Sequence, residues 1–136
     1  MRRKLYISLL GKKIVIYFYP KDDTPGCTIE ACDIRDNYSI FKEKNIVVLG
    51  VSADNIESHK SFTDKFNLPF PLLADINKNM CTDYDVLVDK IVHGHTVKGI
   101  ARITFLIDES GIIKKIWNPV EPNGHAEKIL NVISGN

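Results

Sequence analysis

Cysteine is scarce in this chain: 3 thiols in 136 residues are too few for a disulfide framework. The odd count leaves room for one reactive pair and a bystander. Long hydrophobic runs are missing as well, and nothing approaches the ~20 apolar residues of a membrane span. The opening, Met1 to Lys4, is followed only by a short, mostly apolar stretch, Leu5 to Leu10, below the length of a signal-peptide core. Neither sign of charge dominates. Against 17 Asp and Glu stand 18 Lys and Arg, a net charge of +1. No basic stripe interleaves with aromatics, which argues against nucleic acid as a partner. Repeats, low-complexity tracts and linkers are absent. The composition that remains, 44% hydrophobic and 26% charged, is that of an ordinary globular chain. The expectation is one domain over residues 1–136, cytoplasmic or at least in a reducing compartment, with no membrane partner.

What is present is organised around residues 20–32, Pro-Lys-Asp-Asp-Thr-Pro-Gly-Cys-Thr-Ile-Glu-Ala-Cys. Before them, residues 14–19 are β-branched and aromatic without polar alternation, the pattern of a strand buried on both faces. Residues 46–52 read the same way, and a helical pattern separates the two. Strand, helix, strand predicts a parallel pair with a right-handed crossover. Asp54-Asn55-Ile56-Glu57 offers an acidic or amide cap, with Glu57 three residues after Asp54 close to a capping box, for a helix carrying Ile56, His59, Phe62 and Phe66 at helical spacing. Pro69 ends it, and residues 71–75 form a short strand. Residues 76–98 are expected to hold one short helix around Met80–Val86 and then a loop. Two β-rich runs around Asp108-Glu109-Ser110-Gly111 predict a hairpin. A last helix opens at Gly124-His125, with Ala126, Ile129, Leu130 and Ile133 on one face.

From residue 27 onward, Cys27, Ala31, Ile34, Tyr38 and Phe41 form one apolar helical stripe. Cys27 therefore stands at a helix N-terminus, the backbone position that most favours a thiolate, and faces the body of the domain. Cys32 falls off that stripe. Helix geometry separates the two Cα atoms by ~8–9 Å, whereas a disulfide wants about 5.5–6 Å. A Cys27–Cys32 bond therefore requires the first turns to unwind, which suits a bond made and broken rather than a static staple. Ionising a thiol fully at pH 7 gains only about 30-fold, or ~2 kcal/mol, so fast chemistry also needs donors aimed at the leaving atom. The Thr24 hydroxyl, the amides of Gly26 and Cys27, and the fixed cation Arg102 are the candidates.

Pro20-x-x-x-Thr24-x-x-Cys27 resembles the active-site signature of the peroxiredoxins. The string YFYPKDDTPGCTIEACDIRD, Tyr17 to Asp36, is similar to the subfamily called bacterioferritin comigratory protein or peroxiredoxin Q. The likeness extends through residues 51–54, 71–75, 99–108 and 124–126. It implies an α/β, thioredoxin-like fold with a central mixed sheet flanked by helices. It also implies reduction of hydrogen peroxide and organic hydroperoxides, with no metal or organic cofactor. By that pattern Cys27 is the peroxidatic cysteine, oxidised to a sulfenic acid, and Cys32 resolves it as an intramolecular disulfide. Thr24 and Arg102 hold thiolate and peroxide, Pro20 shields the pocket, and a thioredoxin-type dithiol completes the cycle. Members of this group usually begin with a further Ala-Pro-Asp-Phe-like segment, so the fold is expected to be shortened at the N-terminus. A monomer is expected, with a dimer as the alternative.

The other candidates have plainer readings. Cys81 matches no motif and is expected to be inert. His93 and His95 lack metal-site spacing and read as an exposed loop. Asp22 and Asp23 read as turn residues, His125 as part of a helix start, and Trp117 as a partly covered sheet residue. Glu30 either positions the Cys27 helix or favours its positive end. Two other functions compete with peroxide reduction. A general thiol–disulfide oxidoreductase is disfavoured by the missing Cys-x-x-Cys. A holdase module with vestigial catalysis is disfavoured by the intact Pro20, Thr24, Cys27 and Arg102.

Overall fold

The computed structural model describes residues 11–135; the Leu5–Leu10 stretch and the N-terminal shortening lie outside the described residues. Its centre is strand β1 (Lys13–Phe18), paired in parallel with β2 (Ile46–Ser52) and antiparallel with β6 (Ile103–Ile107). Parallel β3 (Leu72–Ala74) and antiparallel β7 (Ile113–Trp117) complete a mixed sheet of order β3-β2-β1-β6-β7. Apolar side chains alternate across β1 because both of its faces are covered. Val15 and Tyr17 lie in one core with Cys27, Ala31, Ile34, Phe62 and Ile129. Ile14, Ile16 and Phe18 meet Leu49, Val51, Ile103 and Phe105 on the other side.

The first core is built by helices α1 (Pro25–Asp36), α2 (Tyr38–Glu43), α3 (Ile56–Phe66) and α5 (His125–Ser134), with α4 (Asn79–Asp83) on the opposite face. The apolar stripe from Cys27 to Phe41 is not one helix. It breaks at Asn37, whose side-chain amide donates to the Asp33 carbonyl (2.8 Å), an option that short amide side chains offer the backbone. Phe41 is nonetheless fully buried. The cap of α3 is Asn55, which accepts from Ser58 N (2.8 Å), and not Asp54. Asp54 is drawn away because it accepts from the Asp22 amide (2.8 Å) and the Ser52 hydroxyl (2.6 Å).

The largest departure from the sequence reading is at residues 87–100. The expected loop is a second, two-stranded sheet, β4 (Leu87–Val92) with β5 (His95–Ile100), turning at His93-Gly94. Both turn residues have positive φ, 52° and 80°, as the tight hairpin turn that matches strand twist requires. His93 and His95 are exposed there, as expected. Among the described residues no helix is long and apolar enough to cross a membrane.

Candidate active site

Cys27 occupies the first turn of α1, 2% exposed, with Thr24 as the residue before the helix and Pro25 in its first turn. Proline suits that place because its missing N–H would have no partner there. The Thr24 carbonyl accepts from Thr28 N (2.8 Å), closing the turn. Its hydroxyl donates to the Lys21 carbonyl (2.8 Å), tying down the loop, instead of capping the helix. Pro20, half-buried, stands at the head of that loop, just past β1. Cys32 lies in the same unbroken helix, half-buried, and all three cysteines are free.

Arg102 comes from the same end of the sheet, in the two residues between β5 and β6, because Ile103 pairs with Phe18 at the end of β1. Its backbone is pinned: Ala101 N donates to the Val86 carbonyl (2.8 Å), and the Arg102 carbonyl accepts from Val120 N (3.0 Å). Arg102 Nη1 lies 3.4 Å from Cys27 Sγ and 3.0 Å from Glu30 Oε1. Burial works against a cation, yet the bond and charge of Cys27, and then of Glu30, hold the guanidinium's pKa above its ordinary value. Gly26 makes the approach possible, since a Cβ at that position would stand 2.8 Å from Arg102 Nη2. Glu30 is fully buried under the site. Burial, which outweighs the bond and charge of Arg102, pushes its carboxyl up to about 7.

A second polar cluster fixes the loop that carries Pro20 and Thr24. The buried Asp22 carboxylate accepts from Tyr19 Oη (2.6 Å) and Ser58 Oγ (2.8 Å), and lies 2.7 Å from His59 Nδ1. His59 Nε2 is 3.0 Å from the Leu73 carbonyl. A ring flanked by two acceptors satisfies both only as a doubly protonated imidazolium. Burial opposes the charge, but the Asp22 bond and charge, then the Leu73 carbonyl, raise the pKa of His59. Burial also opposes the Asp22 charge, and the bonds from His59, Tyr19 and Ser58 reverse it, lowering that pKa. Asp22, read from sequence as a turn residue, is thus the anchor of the turn. His59 was legible as an interior position from its spacing with Ile56, Phe62 and Phe66, and a histidine there needs partners.

On the far side, Asp33 of α1 accepts from Ala126 N (2.8 Å) at the start of α5, where a carboxylate is favoured. His125 is buried against Thr104 Oγ1 (2.9 Å), and burial, then Lys128, lowers it to about 4. Cys81 is buried in the other core, and burial, then Asp75, pushes its thiol up to about 12, away from reactivity. The structure therefore brings Thr24, Cys27 and Arg102 to one helix start, with Glu30 added. Cys32 stays one and a half turns away.

Residues 4–116 match the model of the AhpC/TSA family. A Bcp-named chain of Coxiella burnetii is 51% identical over 123 residues, 90% of this chain and 82% of that one. Peroxiredoxin Bcp of Bacillus subtilis is 46% identical over 123 residues, 90% of this chain and 78% of its own. A solved structure of the Xanthomonas campestris bacterioferritin comigratory protein, described for its alkyl peroxide reduction activity, superposes with a TM-score of 0.89. It is 37% identical and covers 95% of this chain and 82% of its own. The fold is thioredoxin-like, as the sequence resemblance implied.

Proposed function

Because the chain belongs to the AhpC/TSA family and is a peroxidase of the peroxiredoxin kind, we propose that it reduces hydrogen peroxide and organic hydroperoxides through Cys27 and Cys32. The observation that carries this reading is the guanidinium of Arg102, 3.4 Å from the buried Sγ of Cys27 at the start of α1. The Cys27 thiolate attacks the terminal peroxide oxygen, the O–O bond breaks, and the alcohol leaves. Sulfur is oxidised by two electrons to the sulfenic acid. Arg102 and the first-turn amides stand where charge develops, and Thr24 and Pro20 shape the opening.

Cys32 then attacks that sulfur and water departs, leaving the disulfide. Both cysteines lie in one continuous helix, so the first turns of α1 unwind in this step. The Thr24 hydroxyl is committed to Lys21, so the helix lacks the side-chain cap that contributes about 1 kcal/mol elsewhere. The turn that must open is the one left uncapped. A dithiol reductant of the thioredoxin type returns the pair to thiols, in a reducing compartment such as the cytoplasm.

Intact mass after one equivalent of peroxide tests the cycle. Wild type is expected to lose about two mass units, reversibly with thioredoxin, whereas Cys32→Ser gains one oxygen that dimedone traps at Cys27. Peroxide left unconsumed by the reduced wild type would refute the reading. Gly26→Ala checks the role of Arg102 separately. The new methyl is too close only to the flexible end of Arg102, with Pro122 Cγ at an ordinary 3.8 Å, so the urea midpoint stays put while the peroxide rate falls about 10- to 100-fold through misplacement.

A further inference from the structure

We infer that Glu30 holds, on its carboxyl group, the proton that the leaving oxygen of the hydroperoxide takes up. The inference rests on the peroxidase reading above and assigns a role that Cys27 and Arg102 leave empty. When the thiolate attacks, sulfur gains OH, the O–O electron pair departs with the alkoxide, and that alkoxide needs one proton to leave as alcohol. Arg102 supplies charge but never a proton, because a guanidinium does not give one up in a protein.

Glu30 is the acid in place. It shares Arg102 Nη1 with Cys27, at 3.0 Å against 3.4 Å, and its side chain is wholly buried. One guanidinium cannot balance two buried anions, so the form of the site with a thiolate is the form in which Glu30 is a neutral acid. Its second oxygen, Oε2, is one of two buried side-chain polar atoms without a partner among the described residues; the other is Tyr17 Oη. A permanent carboxylate in that setting would leave a charged oxygen unsolvated. Besides burial, the groups that bear on Glu30 are Arg102 and then Asp33 of α1 itself; Glu30 in turn is the strongest of the charges acting on Tyr17 of β1. From α5, His125 is engaged with Thr104 instead. The carboxyl, near 7, is poised to give its proton at neutral pH.

Balanced, the step is thiolate plus hydroperoxide plus Glu30 acid, giving sulfenic acid, alcohol and Glu30 carboxylate. The test compares leaving groups on the reduced, full-length chain by stopped-flow. With tert-butyl hydroperoxide the leaving alkoxide must be protonated; with peracetic acid the leaving acetate needs no proton. Glu30→Gln keeps an acceptor for Arg102 and cannot carry a proton. It is expected to slow the tert-butyl hydroperoxide reaction about 100-fold and the peracetic acid reaction less than about 3-fold. Equal slowing of both, the signature of a merely displaced Arg102, overturns the proposal, and so does no slowing of either.

Should the glutamine variant misfold, the wild type alone decides. Its rate ratio, alkyl hydroperoxide over peroxy acid, corrected for the peroxy acid's own ionisation, should fall as pH rises through 7, approaching about tenfold per unit above it. A flat ratio overturns the proposal while leaving the peroxidase reading intact. A wild type inert to both oxidants refutes the two together.

Discussion

Replacing Arg102 by glutamine should lower the second-order rate with hydrogen peroxide by about 100- to 1,000-fold, the usual consequence of removing one preorganised charge or donor from a developing anion. The residue touches Cys27 Sγ at 3.4 Å, and no other cation is bonded to that sulfur among the described residues. A second effect should accompany the first. Glu30 loses the bond and charge that hold its pKa down, so burial raises it beyond about 7. A carboxyl whose folded pKa is raised stabilises the fold below its unfolded value and loses that contribution as pH climbs through the folded value. Wild type completes that loss near pH 7, whereas the variant continues to lose stability above it. Urea midpoints should therefore differ little at pH 6 and diverge above pH 7. A rate within tenfold of wild type would remove Arg102 from the chemistry, and parallel stability curves would remove Glu30 from its influence.

Asp22→Asn should cost about 3–5 kcal/mol of stability at pH 6, the range expected when one partner of a buried pair is removed. His59, buried between Asp22 and the Leu73 carbonyl, would keep its desolvation and lose the carboxylate that offsets it. In the wild type the raised His59 pKa gives a contribution that is complete below about 6.5 and fades as pH rises through the folded value. In the variant burial prevails, the folded pKa drops below 6.5, and stability is lost as pH falls instead. The gap between the two proteins should therefore be wider at pH 6 than at pH 8. Chemical denaturation at those two pH values measures it. A gap that is constant with pH would show that His59 does not carry the charge assigned to it.

The parts of this molecule legible from sequence were those written in local periodicity or in a contiguous motif. The apolar runs at 14–19 and 46–52 lie where expected, and so do the crossover between them and the hairpin after Arg102. Cys27 at a helix start follows from Thr24-Pro25-Gly26 alone. Residues whose work depends on distant partners were not legible. Asp22 looks like any turn aspartate until Ser58 and His59, on a helix 36 and 37 positions later, are brought onto it. Glu30 falls three residues after Cys27 and four before Ile34, on the buried stripe of α1, but its partner Arg102 lies 72 residues away and no local pattern announces it. The β4–β5 hairpin escaped notice because its strands are largely exposed and short of a clean apolar face, so no alternation marks them. Its one clue was His93-Gly94, a dipeptide less telling than Asn-Gly.

The strand order sets a timetable for synthesis. One neighbour of β1, β2, is complete once Ser52 has been made, yet the other edge of β1 belongs to β6, which is complete only at Ile107. At 5–20 residues per second, the intervening stretch occupies the ribosome for roughly 3–10 s. Throughout that interval Ile14, Ile16 and Phe18 lack the Ile103, Phe105 and Ile107 that cover them in the folded chain. The nascent chain thus carries an open, aliphatic strand edge for seconds, and the cysteine-bearing helix is tethered to it from the start. The guanidinium that completes the site arrives with that closing strand, so Cys27 acquires its partner only at the moment the exposed edge disappears.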